Sequence, residues 1–267
     1  MTLLDDLRIA VRSLRRTPGF TATAALTLTL GIGANTTIFS LFSALVLKPL
    51  DYRDPDRLVQ VFERNPERGW TGAGVTGPVF AEWRHEATAF DGLAAFTARN
   101  AALTGNGEPI EIAIGVSGPG LFELLGTRPV LGRGFSAEEH GPGAAGVAVL
   151  GERFWISTFG GDSSIVGRSI VLDGRPRLVV GVIGGTGELT GRYGAWIPVA
   201  ERFEDQSPGM HHLIVVGRLA PGVTLAAAEA RLRPGMEAAL SRAPAAHRGG
   251  LPRVVPLGDA VVGPVGS

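Results

Sequence analysis

The side chains able to do chemistry in this 267-residue chain are five histidines, 25 aspartates and glutamates, and the hydroxyls of a few glycine-rich runs; cysteine is absent. Without cysteine there is no disulfide, thiolate metal site or thiol nucleophile, and such a chain fits any redox compartment. His211 and His212 open the strand expected over "HHLIVVGRL" (211–219). Adjacent strand residues point to opposite faces, so the two are not placed to share a metal ion. His85, His140 and His247 have no partner at ligand spacing, and all five histidines read as surface or capping residues. The acidic residues are dispersed, without a pair set for acid–base work. "GGTGELTG" (184–191) lacks the lysine of a phosphate-binding loop and reads as a flexible loop. "GIGANT" (31–36) imitates a dinucleotide fingerprint but sits inside a long uncharged run, the wrong context for it. "GVSGP" (115–119) misses the G-x-S-x-G nucleophile elbow because Pro119 replaces the second glycine. These patterns yield no catalytic residue, cofactor site or metal site, and an enzyme is not expected.

The elements that would have to position any such group are short and mixed. "RLVQVFE" (57–63) reads as a strand, and "TGPVFAEWRHEA" (76–87) as a helix capped by Thr76 with Phe80, Trp83 and Ala87 on one face. Ile110, Ile112, Ile114 and Val116 alternate through "PIEIAIGVS" (109–117), the pattern of a half-buried strand. "PGLFELLG" (119–126) is a short helix ended by Gly126, and "GVAVLG" (146–151) a buried strand leading into the helix "ERFWISTFGG" (152–161). In "SIVLDGRPRLVVGVI" (169–183) two β-rich runs flank Asp173-Gly174, a pair that tolerates positive φ and so predicts a tight hairpin. "AWIPVA" (195–200) and "RVVPL" (253–257) are further strands, and "TLAAAEARL" (224–232) is a helix whose run to Ala243 Pro234 and Gly235 should break or kink. Hairpins mixed with strand–helix alternation give an α+β class, with room for two subdomains.

Lys+Arg and Asp+Glu are both 25, so the net charge is zero, and no basic stripe points to nucleic acid. Mean hydropathy is high at +0.20. Part of that excess sits between Arg16 and Lys48, where no residue is charged. Phe20–Leu47 as a helix would span about 42 Å, more than the ~30 Å hydrocarbon core of a bilayer. That is too long for the apolar region of a cleaved signal peptide and too free of charge for an ordinary buried helix, so a retained transmembrane helix over 17–50 is favoured over both. Arg8, Arg12, Arg15 and Arg16 precede the run; Lys48, Arg53 and Arg57 follow it, diluted by Asp51, Asp54 and Asp56. The bias places the N-terminus in the cytoplasm and the rest outside. Leu3, Leu4, Leu7, Val11 and Leu14 make residues 1–16 an amphipathic helix, whose arginines would dock on anionic lipid or a cytoplasmic partner, or serve only as a topology signal. Thr23, Thr27, Gly31 and Asn35 recur every fourth residue and form a small, polar face suited to packing against another membrane helix.

"LRIAVRSLRRTPGFTATAALTLTLGIGANTTIFSLFSALVLKPLDYRDPDRLV" resembles the N-terminal span of the MacB/FtsX-type ABC transporter permeases. "FELLGTRPVLGRGFSAEEHGPGAAGVAVLGERFWISTFGGDSSIVGRSIVLDGRPRLVVGVI" (122–183), "AWIPV" and "GRLAPGVTLAAAEARL" resemble the MacB-like periplasmic core domain of the orphan permeases in that group. The resemblance implies a cytoplasmic helix over 1–16, the membrane helix over 17–50 and a periplasmic core domain over 51–258. Within that domain it implies a porter-like α+β part and an inserted β-rich subdomain at about 118–204. It implies an inner-membrane permease subunit that transmits ATPase-driven helix motion to an extracytoplasmic domain for export or envelope mechanotransmission. Its partners would be a cytoplasmic ATP-binding subunit, other membrane helices in an oligomer, membrane lipid and a periplasmic adaptor. Family members carry further membrane helices after the core domain, whereas residues 259–267 ("DAVVGPVGS") only lead towards one, and no ATPase motif is present. A fragment, a truncated product or a degenerate paralogue is therefore expected. The competing expectation is a single-pass, membrane-tethered interaction module without transport activity.

Overall fold

The computed structural model describes residues 15–46, 52–85, 88–105, 107–184, 189–200, 203–207, 209–243 and 249–262. The chain divides into two units, Met1–Pro49 and Leu50–Ser267. The first is described by helix α1 (Pro18–Val46), ahead of which Arg15 and Arg16 are exposed. Pro18 suits a first helical turn, where its missing N–H is one that the helix could not use. Among the described residues no helix is long and apolar enough to cross a membrane. In α1, Thr21, Thr23, Thr27, Thr29, Gly31, Gly33 and Asn35 dilute the aliphatic residues. The amphipathic helix expected over 1–16 lies outside the described residues except for Arg15 and Arg16, as do Arg8 and Arg12.

The second unit opens with β1 (Leu58–Asn65) and β2 (Trp70–Ala73), followed by helix α2 (Gly77–His85). Strands β3 (Phe90–Thr104) and β4 (Ile110–Ser117) lead to the short helix α3 (Leu121–Leu125). Then come β5 (Pro129–Gly132), β6 (Val147–Gly151) and helix α4 (Glu152–Phe159). The hairpin β7 (Ser169–Leu172) and β8 (Arg175–Ile183) precedes β9 (Ala195–Pro198) and β10 (Ile214–Leu219). Helix α5 (Leu225–Ser241), β11 (Leu251–Pro256) and α6 (Leu257–Val262) complete the order. Eleven strands form one sheet in the order β11-β1-β10-β3-β4-β9-β6-β8-β5, with β2 on β1 and β7 pairing with β3 and β8. Pairing is antiparallel except for β4 with β9 and β6 with β8. The α+β class expected from the pattern is the class observed. The strands between 118 and 204 do not make a sheet of their own; they continue this one through β9 beside β4.

Alternation along the strands divides the core by face. Val59, Val61, Ala95 and Val215 lie in a cluster with Phe80 and Trp83 of α2 and with Leu232 and Met236 of α5. Trp83 is fully buried there, and its Nε1–H donates to the Leu232 carbonyl (2.9 Å), which satisfies the one polar atom that burial would strand. The neighbouring positions Leu58, Ala94, Phe96 and Val216 belong to a second cluster with α3, Tyr193 and Trp196. A third gathers Ile112, Ile114, Ala148, Leu150, Val179 and Val182 under β7 and α4. Val116 packs against both the first and the third.

Asp173 and Gly174 sit at φ 50° and 72°, so both take the positive φ that a two-residue hairpin turn needs. The Asp173 carboxylate also accepts from the Ala102 N–H (2.9 Å) and pairs with Arg99 (2.5 Å), which ties the turn to β3. Helix α5 runs through Pro234 without ending there. Leu232 precedes the proline, and Met236, Ala239 and Leu240 follow it, all in one buried cluster, and this packing outweighs the lost hydrogen bond. His211 and His212 precede β10 instead of opening it, next to an isolated bridge between Leu213 and Val75.

Candidate functional site

Ser117 of "GVSGP" is buried, and its hydroxyl donates to the Gly118 carbonyl (2.8 Å), so it is not displayed as a nucleophile. Of "GGTGELTG", residues 185–188 lie outside the described residues. Among the described residues no group of three or more His, Asp and Glu side chains is placed to hold a metal ion.

His211, read from the sequence as a surface or capping residue, is partly buried among polar groups. His211 Nδ1 lies 3.3 Å from the Gly74 carbonyl and 3.4 Å from Glu63 Oε2, and its ring meets Trp70 edge-on. Glu63 is only 3% exposed and accepts from both the N–H (2.7 Å) and the hydroxyl (3.0 Å) of Thr76. The group fixes the approach to α2: a Cβ on Gly74 would fall 2.6 Å from the His211 carbonyl oxygen.

The predicted packing residues Thr23, Thr27, Gly31 and Asn35 are all exposed on α1, and a Cβ on Gly31 would meet nothing within 4 Å. Phe20, Leu26, Leu28, Leu30 and Ile32 are exposed on the same helix, between 63% and 72%. Four of the threonine hydroxyls turn inward to the helix backbone. Thr21, Thr23, Thr27 and Thr29 each donate to the carbonyl four residues earlier, at 2.7–3.0 Å. Of the predicted docking residues, Arg15 and Arg16 are exposed.

A polar arrangement that joins distant parts of the second unit lies where its chain begins. Tyr52 is buried; its phenol oxygen accepts from the Thr190 N–H and lies 3.2 Å from the Thr190 hydroxyl. The Arg53 N–H donates to the Leu125 carbonyl (3.2 Å). Asp54 takes a left-handed conformation at φ 43°, which turns the chain into β1. Arg57 donates through Nε to the Leu219 carbonyl (2.8 Å) and pairs with Asp91. Beneath them Arg218 is 2% exposed; it donates to the Asp54 carbonyl (3.1 Å) and to the Leu124 carbonyl (2.6 Å). The Leu124 and Leu125 carbonyls are among those a helix leaves unpaired at its C-terminus, where a cation is also favoured by the helix dipole. Arg218 and the Arg53 N–H are thus the C-terminal cap of α3. Gly126 closes that cap at φ 73°, and a Cβ there would lie 2.6 Å from Arg53 Cβ. Burial pulls the Arg218 guanidinium below the ordinary arginine range, and Arg53 and Arg57 push the same way against Asp54 and Asp91. Sequence reasoning reaches Gly126 as the end of α3 but not the roles of Tyr52, Arg53, Thr190 and Arg218. The available signal is an arginine on a strand face otherwise occupied by Ile214 and Val216.

A family model described as the MacB-like periplasmic core domain matches residues 21–234. The chain belongs to that family. Its fold is similar to a domain of a candidate permease protein from Porphyromonas gingivalis, with a TM-score of 0.60 and 16% identity, over 77% of this chain and 93% of that one. It is also similar to the periplasmic region of MacB from Actinobacillus actinomycetemcomitans (TM-score 0.56, 14% identity, 77% of this chain and 90% of that one). A third likeness is to the extracellular domain of the noncanonic ABC-type transporter YknZ from Gram-positive bacteria, with a TM-score of 0.51 and 10% identity, over 74% and 99% of the two chains. No curated protein matches.

Proposed function

We propose that this chain is a permease subunit, or the N-terminal part of one, in a MacB/FtsX-type ABC transporter. In this reading a cytoplasmic ATP-binding subunit moves the N-terminal helix, and the movement reaches an extracytoplasmic domain that handles substrate or transmits force outside the membrane. The observation that carries the reading is the extent of the family match, which begins at residue 21 inside α1 and runs on through the sheet to residue 234. Helix and core domain therefore belong to one family unit.

Two features of α1 support its placement in lipid. Its Phe20, Leu26, Leu28, Leu30 and Ile32 side chains are exposed, as lipid-facing residues are. The hydroxyls of Thr21, Thr23, Thr27 and Thr29 already have partners within the helix, which lowers the cost of placing them in hydrocarbon. The more apolar "IFSLFSALVL" (38–47) follows in sequence. Asn35 then needs a partner from a neighbouring helix, and the face Thr23/Thr27/Gly31/Asn35 is the surface through which α1 packs in an oligomer. Arg8, Arg12, Arg15 and Arg16 face the cytoplasmic side and dock the ATP-binding subunit or anionic lipid. A periplasmic adaptor is a further partner of this reading.

The test is co-purification from native membranes through a C-terminal tag, followed by mass spectrometry. The reading expects an ATP-binding subunit that is lost when Arg8, Arg12, Arg15 and Arg16 are all changed to Glu. Recovery of envelope proteins alone would sink it in favour of a tethered interaction module.

A further inference from the structure

The segment between β4 and β9 begins with α3 and ends just after Tyr193, and its strands β5–β8 belong to the same sheet. Its roots are held by Tyr52 and Arg53, near the start of the second unit, and by Arg218 of β10. At the outgoing root, the Arg53 N–H takes the Leu125 carbonyl and Arg218 takes the Leu124 carbonyl. At the returning root, the Tyr52 hydroxyl holds Thr190 through its backbone N–H and its side chain. Arg218 then closes the figure by donating to the Asp54 carbonyl, so one guanidinium spans from residue 54 to α3. Tyr52, Leu58, Leu121, Phe122, Leu125, Leu189, Tyr193 and Leu257 share one buried cluster beneath these bonds.

We propose that Arg218 is a positioning residue that couples residues 52–57 to both roots of the segment 118–204, so that this stretch and the roots move as one body. The inference rests on the permease reading, which supplies the displacement to be carried. A flexible hinge at 52–57 would absorb movement arriving from the N-terminal side; a segment tied at both roots passes it on to the β-rich part. The planar guanidinium suits this role because it reaches two carbonyls in fixed directions, which a lysine ammonium does not. Its burial makes either bond costly to lose: if one carbonyl moves away, a desolvated donor loses its partner.

Hydrogen–deuterium exchange on the full chain in its membrane-extracted form tests the coupling. The decisive amides are those that each substitution does not touch. Arg218→Met should speed exchange at the Thr190 amide by about tenfold or more, although Arg218 makes no bond to Thr190. Tyr52→Phe, which removes one oxygen and keeps the packing, should likewise speed exchange at the Arg53 and Gly126 amides. In both variants the amides of Val75 and Leu213, which bond to each other on the other face, should stay within about twofold. Acceleration confined to the groups that lose a bond overturns the proposal, and so does an equal rise at Val75 and Leu213. If Arg218→Met does not fold, Tyr52→Phe decides alone. An ATP-binding subunit recovered without this cross-talk removes the coupling and leaves the permease reading. Cross-talk without an ATP-binding subunit does the reverse.

Discussion

Gly115 and His140 show how single residues carry strain and charge in this fold. Gly115 lies on β4 against the buried Trp196; a Cβ there would fall 2.2 Å from the indole. Gly115→Ala should therefore cost about 1–3 kcal/mol by overpacking, read as a fall in chemical-denaturation midpoint; an unchanged midpoint would show that the indole moves aside freely. His140 is half-buried beside Phe135, and desolvation lowers its pKa below the ordinary 6.5, against Glu139, Glu123 and a hydrogen bond at Ser117, which raise it. A proton thus binds the unfolded chain more readily than the folded one. Stability should be fully present above the unfolded value and should fall as pH drops from there towards the lower folded value. Denaturation curves between about pH 7 and pH 5.5, where carboxylates stay charged, should show this slope, and His140→Gln should flatten it. An equal slope in the variant would place the titration elsewhere.

Among the elements, those with strong local chemistry are legible in the amino-acid pattern. The Asp173-Gly174 hairpin follows from two residues that accept positive φ, and β4 from strict alternation of Ile110, Ile112, Ile114 and Val116. The 15-residue β3 escapes such reading because "FDGLAAFTARNAALT" is rich in alanine, a weak strand former, and owes its conformation to neighbours β10 and β4. The continuation of α5 beyond Pro234 is hidden for the same reason: a local rule loses to buried contacts on both sides. The candidate site is less legible still, because Tyr52 and Arg53 are far in sequence from Thr190 and Arg218 and the pairing runs mostly through backbone carbonyls and amides, which carry no side-chain pattern. At this scale α1 makes its own prediction. Leu28→Arg with Ile32→Arg puts two cations on one helical face, each costing about 2.5–3.5 kcal/mol in the middle of a membrane helix. The doubly substituted chain should leave the membrane pellet on alkaline carbonate washing while the parent stays; retention of both would count against α1 as the anchor.

For the molecule as a whole, the two units carry complementary roles in the proposed function: α1 is the membrane element, and the eleven-stranded sheet is the body displayed beyond it. The family match covers parts of both, which is why the resemblance seen in the sequence extends so far along the chain. The proposed function requires Arg15 and Arg16 on the cytoplasmic side of a membrane and the sheet on the other. The absence of cysteine makes that arrangement directly measurable, since a single introduced thiol reports alone. Ala145→Cys sits on an exposed stretch of the core domain, and Ser13→Cys precedes the arginines. Treated with a membrane-impermeant maleimide while the cytoplasmic membrane is intact, Ala145→Cys should label at once and Ser13→Cys only after lysis. Protection of Ala145→Cys until lysis, or labelling of Ser13→Cys in intact cells, would contradict the account.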